Sequence, residues 1–369
     1  MIRALAHQRN RFEALAPAGA SVVSRAGHIL VAFVLAGTFA LSAPAAAFAE
    51  VLESDEIGNK TVAARGLSAD ACPDIGATHA MLVGSDGTVY FSRDVNAEVK
   101  IASLTKIMTA VVALENASLD LTVTVDNEAA TVGESSAGLL EGDTMSLETA
   151  LYALMVPSGN DAGIAIAKSV GAHMSGDAAT GYDTFIAAMN AKAADLGMSH
   201  SVYTNPHGLD FDAFGDENLH SSARDVATLV SYAMQNDTFR GIVDAGSTTI
   251  TVTSADGTAR NVALQTTDEL MGVYDGICGV KTGTTDDAGY CFAGAVSRDA
   301  GELYSVVLDS PSSDERFSDT VALMDWAYAN IAQRSLVNSD QYVEYLGANV
   351  PLVAKVAHND WVDVSVDAT

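Results

Sequence analysis

Two blocks of alternating apolar residues bracket a block of helical patterns, and that order constrains the fold more than any other feature. "ATHAMLVGSDGTVYFSRDV" holds two alternating runs around Asp86-Gly87, the turn chemistry of a hairpin. "SLETALYALMV" reads as a helix opened by a Ser146 cap and stopped by Pro157. "DAGIAIAKSVGAHM" and "TGYDTFIAAMNAKAADLGM" predict two more, the latter with Phe185, Ile186, Met189 and Leu196 at helical spacing. "HSSARDVATLVSYAM" predicts a fourth, capped by Ser221 or Ser222. From residue 247 the alternation returns. A hairpin turns at Asp256-Gly257, and "GICGVKTGTTDDAGYCFAGAVSRDAGELYSVVLD" supplies three consecutive strands before a closing helix in "SDTVALMDWAYANI". Strands, helices, strands and a helix make an α+β fold. Its helices gather against an antiparallel sheet in which strands from both ends of the chain pair.

The ends of the chain read differently. Arg3, Arg9, Arg11 and Arg25 precede the apolar run "ILVAFVLAGTFAL", and Ala47 and Ala49 form a small-residue cleavage pattern. The run is about thirteen residues, the length of a signal-peptide core. A spanning helix needs about 20. Residues 1–49 are therefore expected to direct export and to be cleaved after Ala49. Residues 50–75 read as a polar, irregular leader, 76–335 as one domain, and 336–369 as a short tail with two alternating runs. A net charge of −28 argues against nucleic acid as a partner, since phosphate binding needs clustered Lys and Arg. Outside the cytoplasm a disulfide is permitted. Cys278 and Cys291 flank one hairpin turn, so a bridge between them and three separate buried thiols both remain open, with Cys72 left over. The spacing fits no zinc site.

"IASLTKIMTA" places Ser103 and Lys106 on one face of a helix that is apolar all round. A serine hydroxyl is a poor nucleophile until a base takes its proton. A lysine can be that base when burial among Ile101, Leu104, Ile107 and Met108, or a second cation, lowers its pKa. "PSGN" adds the Ser158 hydroxyl and the Asn160 amide on a turn. "KTG" adds Lys281, Thr282 and Gly283 on a strand, where a cation and a hydroxyl can hold a carboxylate and the glycine admits a close backbone. Each motif alone is common.

In this order, S-x-x-K, S-x-N and K-T-G are the signature of β-lactamases and penicillin-binding proteins. "ASLTKIMTA", "MVPSGNDA", "TNPHGLD", "HSSARD" and "GVKTGTTDDAGYCFAGA" together make residues 76–335 resemble the low-molecular-mass penicillin-binding proteins, serine-type D-alanyl-D-alanine carboxypeptidases. The resemblance implies a β-lactamase/transpeptidase-like fold without metal or cofactor. It implies peptidoglycan stem peptides ending in D-Ala-D-Ala as substrates and β-lactams as covalent inhibitors. Ser103 would attack the penultimate D-alanine carbonyl, Lys106 would be its base, and Ser158 would relay a proton toward the leaving amine with Lys281. Asn160 would bond the substrate amide. Lys281 and Thr282 would bind the terminal carboxylate, with Arg316 orienting it on a looser alignment. The backbone N–H groups of Ser103 and Thr284, beside Gly283, would form the oxyanion hole.

Two departures stand out. Ile101 occupies a position where the family often has proline, which bears on loop rigidity. No basic amphipathic segment follows the domain, which argues against the membrane anchor of familiar relatives. A β-lactamase is the nearest alternative, but the chain has no Glu from Tyr152 to Asp216, where a deacylating glutamate is expected. A non-turnover β-lactam sensor would keep the motifs but lacks a signalling domain. His207 and His220 read as loop structure, and Asp286 and Asp287 as a solvated hairpin tip.

Overall fold

The two strand blocks meet in one sheet. The computed structural model of the chain describes residues 51–210 and 218–334. The export segment expected at 1–49 and the two runs expected at 336–369 lie outside the described residues. Strands β3 (His79–Gly84) and β4 (Val89–Arg93) form the Asp86-Gly87 hairpin, and β9 (Ile277–Thr285), β10 (Gly289–Arg298) and β11 (Gly301–Ser310) form the second block. β11 pairs antiparallel with β3, joining the early strands to the late ones. With β1 (Glu56–Ile57) and β2 (Lys60–Thr61), the seven strands run in the order β2-β1-β4-β3-β11-β10-β9. The fold is α+β, as the element order predicts.

Both faces of this sheet are covered, which explains its near-continuous apolar runs. Ala80, Leu82, Phe292, Val296, Leu303 and Val307 pack on one side with Phe317, Leu323 and Met324 of α9 (Ser313–Arg334). Met81, Val83, Ala293, Ala295, Val306 and Leu308 face the helical cluster. That cluster holds α2 (Thr105–Asn116), α4 (Leu147–Met155), α5 (Asn160–Ser175), α6 (Ala178–Asp195) and α7 (Ala223–Ala233). Every residue of α2 from Thr105 to Ala113 is buried. Ser146 caps α4 through the Thr149 N–H, and Ser222, not Ser221, caps α7 through the Asp225 N–H. A second sheet, β5 (Thr122–Thr124), β6 (Thr144–Ser146), β7 (Thr248–Thr253) and β8 (Ala259–Leu264), flanks the cluster.

Two expectations change and one open question closes. In the expected 50–75 leader, the described residues 51–75 are not irregular. They supply β1, β2 and the short helix α1 (Val62–Arg65), and β1 extends the sheet beside β4. Polar anchors hidden in the sequence hold them. Arg93 grips Asp55 with two bonds of 2.8 and 2.6 Å and donates to the Ile75 and Ala77 carbonyls, while Asp319 accepts from the Gly76 and Ala77 N–H groups. The open question of a Cys278–Cys291 bridge closes against it, since all three cysteines are free. The β9–β10 register sets Cys291 opposite Gly283, five residues along β9 from Cys278 and so roughly 17 Å away at strand rise. Lastly, the closing helix begins at Ser313 rather than beyond Arg316, with Asp314 and Glu315 in its first turn. Two short helices, α3 (Asn127–Thr131) and α8 (Asp237–Val243), are also present; neither has enough periodicity to be legible in sequence.

Candidate active site

All three motifs converge where the N-terminus of α2 meets the outer edge of β9. A 3-10 turn, Ala102–Leu104, carries Ser103 into α2, and Ala102 sits in the left-handed region at φ 46°. Such backbone is costly for a residue with a side chain, so the surroundings must hold it. Gly283 is one of them. A Cβ there would stand 2.9 Å from the Ile101 carbonyl and 3.1 Å from the Ser103 N. The glycine of K-T-G is what lets β9 lie against the serine's own amide.

Lys106 is fully buried one turn beyond Ser103. Its Nζ donates to Asn160 Oδ1 at 2.7 Å and to the His207 carbonyl at 2.9 Å, and lies 2.8 Å from Ser103 Oγ. Burial, then the nearby Lys281, push its pKa well below the ordinary ammonium value, against a smaller opposing pull from Asp161. A neutral amine has two N–H donors and one lone pair. Two carbonyl acceptors occupy the donors, which leaves the lone pair for the Ser103 hydroxyl. An amine held in this way can take the serine's proton.

Pro157 ends α4, and Ser158 follows in the left-handed region at φ 66°. Its Oγ is buried without a hydrogen-bond partner among the described residues. A buried hydroxyl left unsatisfied costs about 1–3 kcal/mol, the kind of cost found where a ligand supplies the missing bond. Gly159 is required by space: a Cβ there would come 2.5 Å from Asp161 Oδ1 and 2.7 Å from the Ala153 carbonyl. Asn160 opens α5, and its amide is fixed at both ends, Oδ1 on Lys106 and Nδ2 donating to the Gly133 carbonyl at 3.1 Å.

Strand alternation divides the third motif. Lys281 and Gly283 pair with Ala293 and Cys291, whose side chains lie on the helical-cluster face. Thr282 and Thr284 pair with Phe292 and Tyr290, toward α9. There Arg316 donates from Nη1 to Thr284 Oγ1 at 3.0 Å and stacks on Phe317. Lys281 is buried and donates to the Thr282 carbonyl at 2.9 Å. Burial and then Arg316 lower its pKa to about 7, with Asp268 opposing. The sequence-predicted residues Ser103, Lys106, Ser158, Asn160, Lys281, Thr282, Gly283, Thr284 and Arg316 therefore gather in one region. No group of metal-ligating side chains occurs among the described residues.

Sequence reasoning missed the supporting parts. His207 takes part through its backbone carbonyl, which no side-chain motif reveals. Its ring accepts from the Leu209 N–H and is kept neutral by burial and Lys106, with a pKa of about 3. Asp161 holds the loop beside Asn160, accepting from the Ala137 and Leu139 N–H groups and from Ser136 Oγ. Thr267 Oγ1 lies 2.6 Å from Thr282 Oγ1.

Residues 66–312 match the peptidase S11 family model, described as D-alanyl-D-alanine carboxypeptidase. The chain belongs to this family. It is 33% identical over 250 residues to a D-alanyl-D-alanine carboxypeptidase of Streptomyces sp. strain K15, covering 66% of this chain and 84% of the relative. It is 31% identical over 253 residues to D-alanyl-D-alanine carboxypeptidase DacB2 of Mycobacterium tuberculosis, covering 68% and 81%. Among solved structures, the Streptomyces K15 DD-transpeptidase superposes with a TM-score of 0.65 at 31% identity, over 70% of this chain and 98% of that one. The S11 fold and its serine-hydrolase chemistry therefore apply to this chain.

Proposed function

We propose that the protein is a serine D-alanyl-D-alanine carboxypeptidase that trims the terminal D-alanine from peptidoglycan stem pentapeptides through an acyl-enzyme on Ser103. The observation that carries this reading is the Lys106 amine, with two carbonyl acceptors on its N–H groups and Ser103 Oγ on its remaining face. Ser103 Oγ attacks the penultimate D-alanine carbonyl while its proton passes to Lys106 Nζ. The oxyanion rests on the Ser103 and Thr284 backbone N–H groups, each such donor lowering the barrier by roughly 3 kcal/mol. Collapse breaks the peptide bond. Lys106 gives the serine proton up again, and it passes through Ser158, whose hydroxyl is otherwise unengaged among the described residues, to the departing D-alanine amine, with Lys281 assisting the relay. Water then cleaves the ester.

β9 is the outer strand of its sheet, so a substrate peptide can lie along its edge with Asn160 bonding its amide. Lys281, Thr282 and Arg316 supply the charge and hydroxyl for the terminal carboxylate. β-Lactams carry the same carboxylate and an acylating carbonyl, and so are expected to trap Ser103. The basic and then apolar N-terminal sequence supports action outside the cytoplasm, and no described helix is long and apolar enough to cross a membrane.

Intact-mass spectrometry of the chain after incubation with benzylpenicillin tests the reading. A stable adduct on the Ser103 peptide, absent in Ser103→Ala, together with D-alanine release from an acyl-D-Ala-D-Ala peptide, is the expected result. Penicillin consumed without a lasting adduct would mean a β-lactamase. Neither adduct nor consumption would mean the three motifs do not act as one site.

A further inference from the structure

Asp268 lies between β8 and β9, outside the three motifs, and is buried at 7% exposure. It lines one narrow crevice with Lys281 and Thr282, walled by Met155, Val156 and Val280. Oδ1 accepts from the Leu270 N–H at 2.9 Å, while Oδ2 has no hydrogen-bond partner among the described residues. The neighbouring Thr267 is clamped on both sides, its hydroxyl to Thr282 and its N–H to the Val156 carbonyl at 3.3 Å. The segment is thereby fixed against the K-T-G strand. A buried carboxylate with an idle oxygen is unfavourable unless a cation compensates it.

We propose that Asp268 is a positioning residue for the reaction: its carboxylate is the counter-charge that keeps the Lys281 ammonium protonated in the site, ready for a substrate carboxylate. This rests on the carboxypeptidase reading above. The surrounding charges show why a partner is needed. Burial and Arg316 of α9 disfavour the proton on Lys281, and Lys281 in turn disfavours one on Lys106 of α2. Asp161 of α5 acts on Lys106, Glu269 acts on Arg316, and Asp210 is bonded to Thr285. Asp268 is the carboxylate that favours the proton on Lys281. Burial raises Asp268 itself to about 6, with Lys281 and Arg316 pulling it back. The pair is therefore carboxylate and ammonium in a window near neutrality. Above it Lys281 loses its proton and substrate carboxylate binding weakens.

The test is the pH profile of kcat/KM for D-alanine release from an acyl-D-Ala-D-Ala peptide by the full chain, in wild type, Asp268→Asn and Asp268→Glu. In Asp268→Asn the basic limb should move down by about one pH unit. At about pH 8 this is a loss of about tenfold, carried mainly by KM. Asp268→Glu should return the limb most of the way. A merely structural role would lower activity equally at all pH values; that result, or a limb that Asp268→Glu does not restore, overturns the proposal. A direct readout that needs no Asp268 variant is a titration of 13Cε-lysine-labelled wild type, with Lys281 assigned through Lys281→Arg. Two inflections, one from the carboxylate and one from the ammonium, are expected, and a single inflection in the ordinary lysine range overturns it. Wild type that neither releases D-alanine nor reacts with benzylpenicillin overturns the site reading along with this one. Active wild type with an unmoved limb overturns the role of Asp268 alone.

Discussion

Lys106 can act as a base only while its nitrogen carries two protons rather than three. Burial and the nearby Lys281 favour that state, and the carbonyls of Asn160 and His207 orient it. The two lysines have opposite requirements. Lys106 must be neutral and Lys281 charged, so acylation of the free enzyme should follow a bell. Its acid limb, where Lys106 gains a proton, lies below the usual ammonium range. Its basic limb, where Lys281 loses one, lies near 7. Stopped-flow acylation by benzylpenicillin across pH should show both limbs. Lys106→Arg, which cannot release its proton near neutral pH, should cost about 10²–10⁴-fold in acylation rate. Gly283→Ala tests the close approach of β9 to the serine: its Cβ would press on the Ser103 N, and acylation should fall about tenfold or more with the melting temperature changing less. The motifs pointed to Lys106 and Gly283. They could not point to His207 as an acceptor, because a backbone carbonyl leaves no side-chain signature.

Helices and strands here serve mainly to bring short motifs to fixed places. α2 is apolar on every face because it is surrounded, and that pattern marked it as buried before any contact was known. α4 ends at Met155 ahead of Pro157, so the chain turns sharply and Ser158 takes a strained conformation. The Ser146 hydroxyl accepts from the Thr149 N–H at the start of α4. Ser146→Ala should destabilise the fold by about 1 kcal/mol in urea unfolding and leave the acylation rate per folded molecule unchanged. Helices with strong periodicity and clear caps were legible from sequence. α8 and the two-residue strands β1 and β2 were not, since tertiary partners rather than local pattern sustain them.

Across the molecule, the sheet depends on contacts between residues far apart in sequence. Asp55 and Arg93 form a buried ion pair that ties residues 51–61 to β4, and Asp319 ties residues 76 and 77 to α9, the last described helix. Removing one partner strands a buried charge. Arg93→Ala should therefore lower stability by about 3–5 kcal/mol, read by urea unfolding, although Arg93 belongs to none of the three motifs. A change no larger than that of an exposed ion pair, about 1 kcal/mol or less, would show that these residues are dispensable to the domain.

The sequence by itself determined the element order, the α+β class, the three motifs and their family. Periodicity, turn residues and short spacings are local properties, written wherever the chain must turn, cap or bury a face. Tertiary structure alone decided which groups surround the lysines, that Cys278 and Cys291 stay apart, and that the stretch before the first long strand extends the sheet. It also decided that Asp268 stands buried in one crevice with Lys281, and Asp161 close enough to act on Lys106. Those outcomes depend on strand register and on burial by distant segments, which set distance and dielectric, and neither quantity exists until the chain has folded.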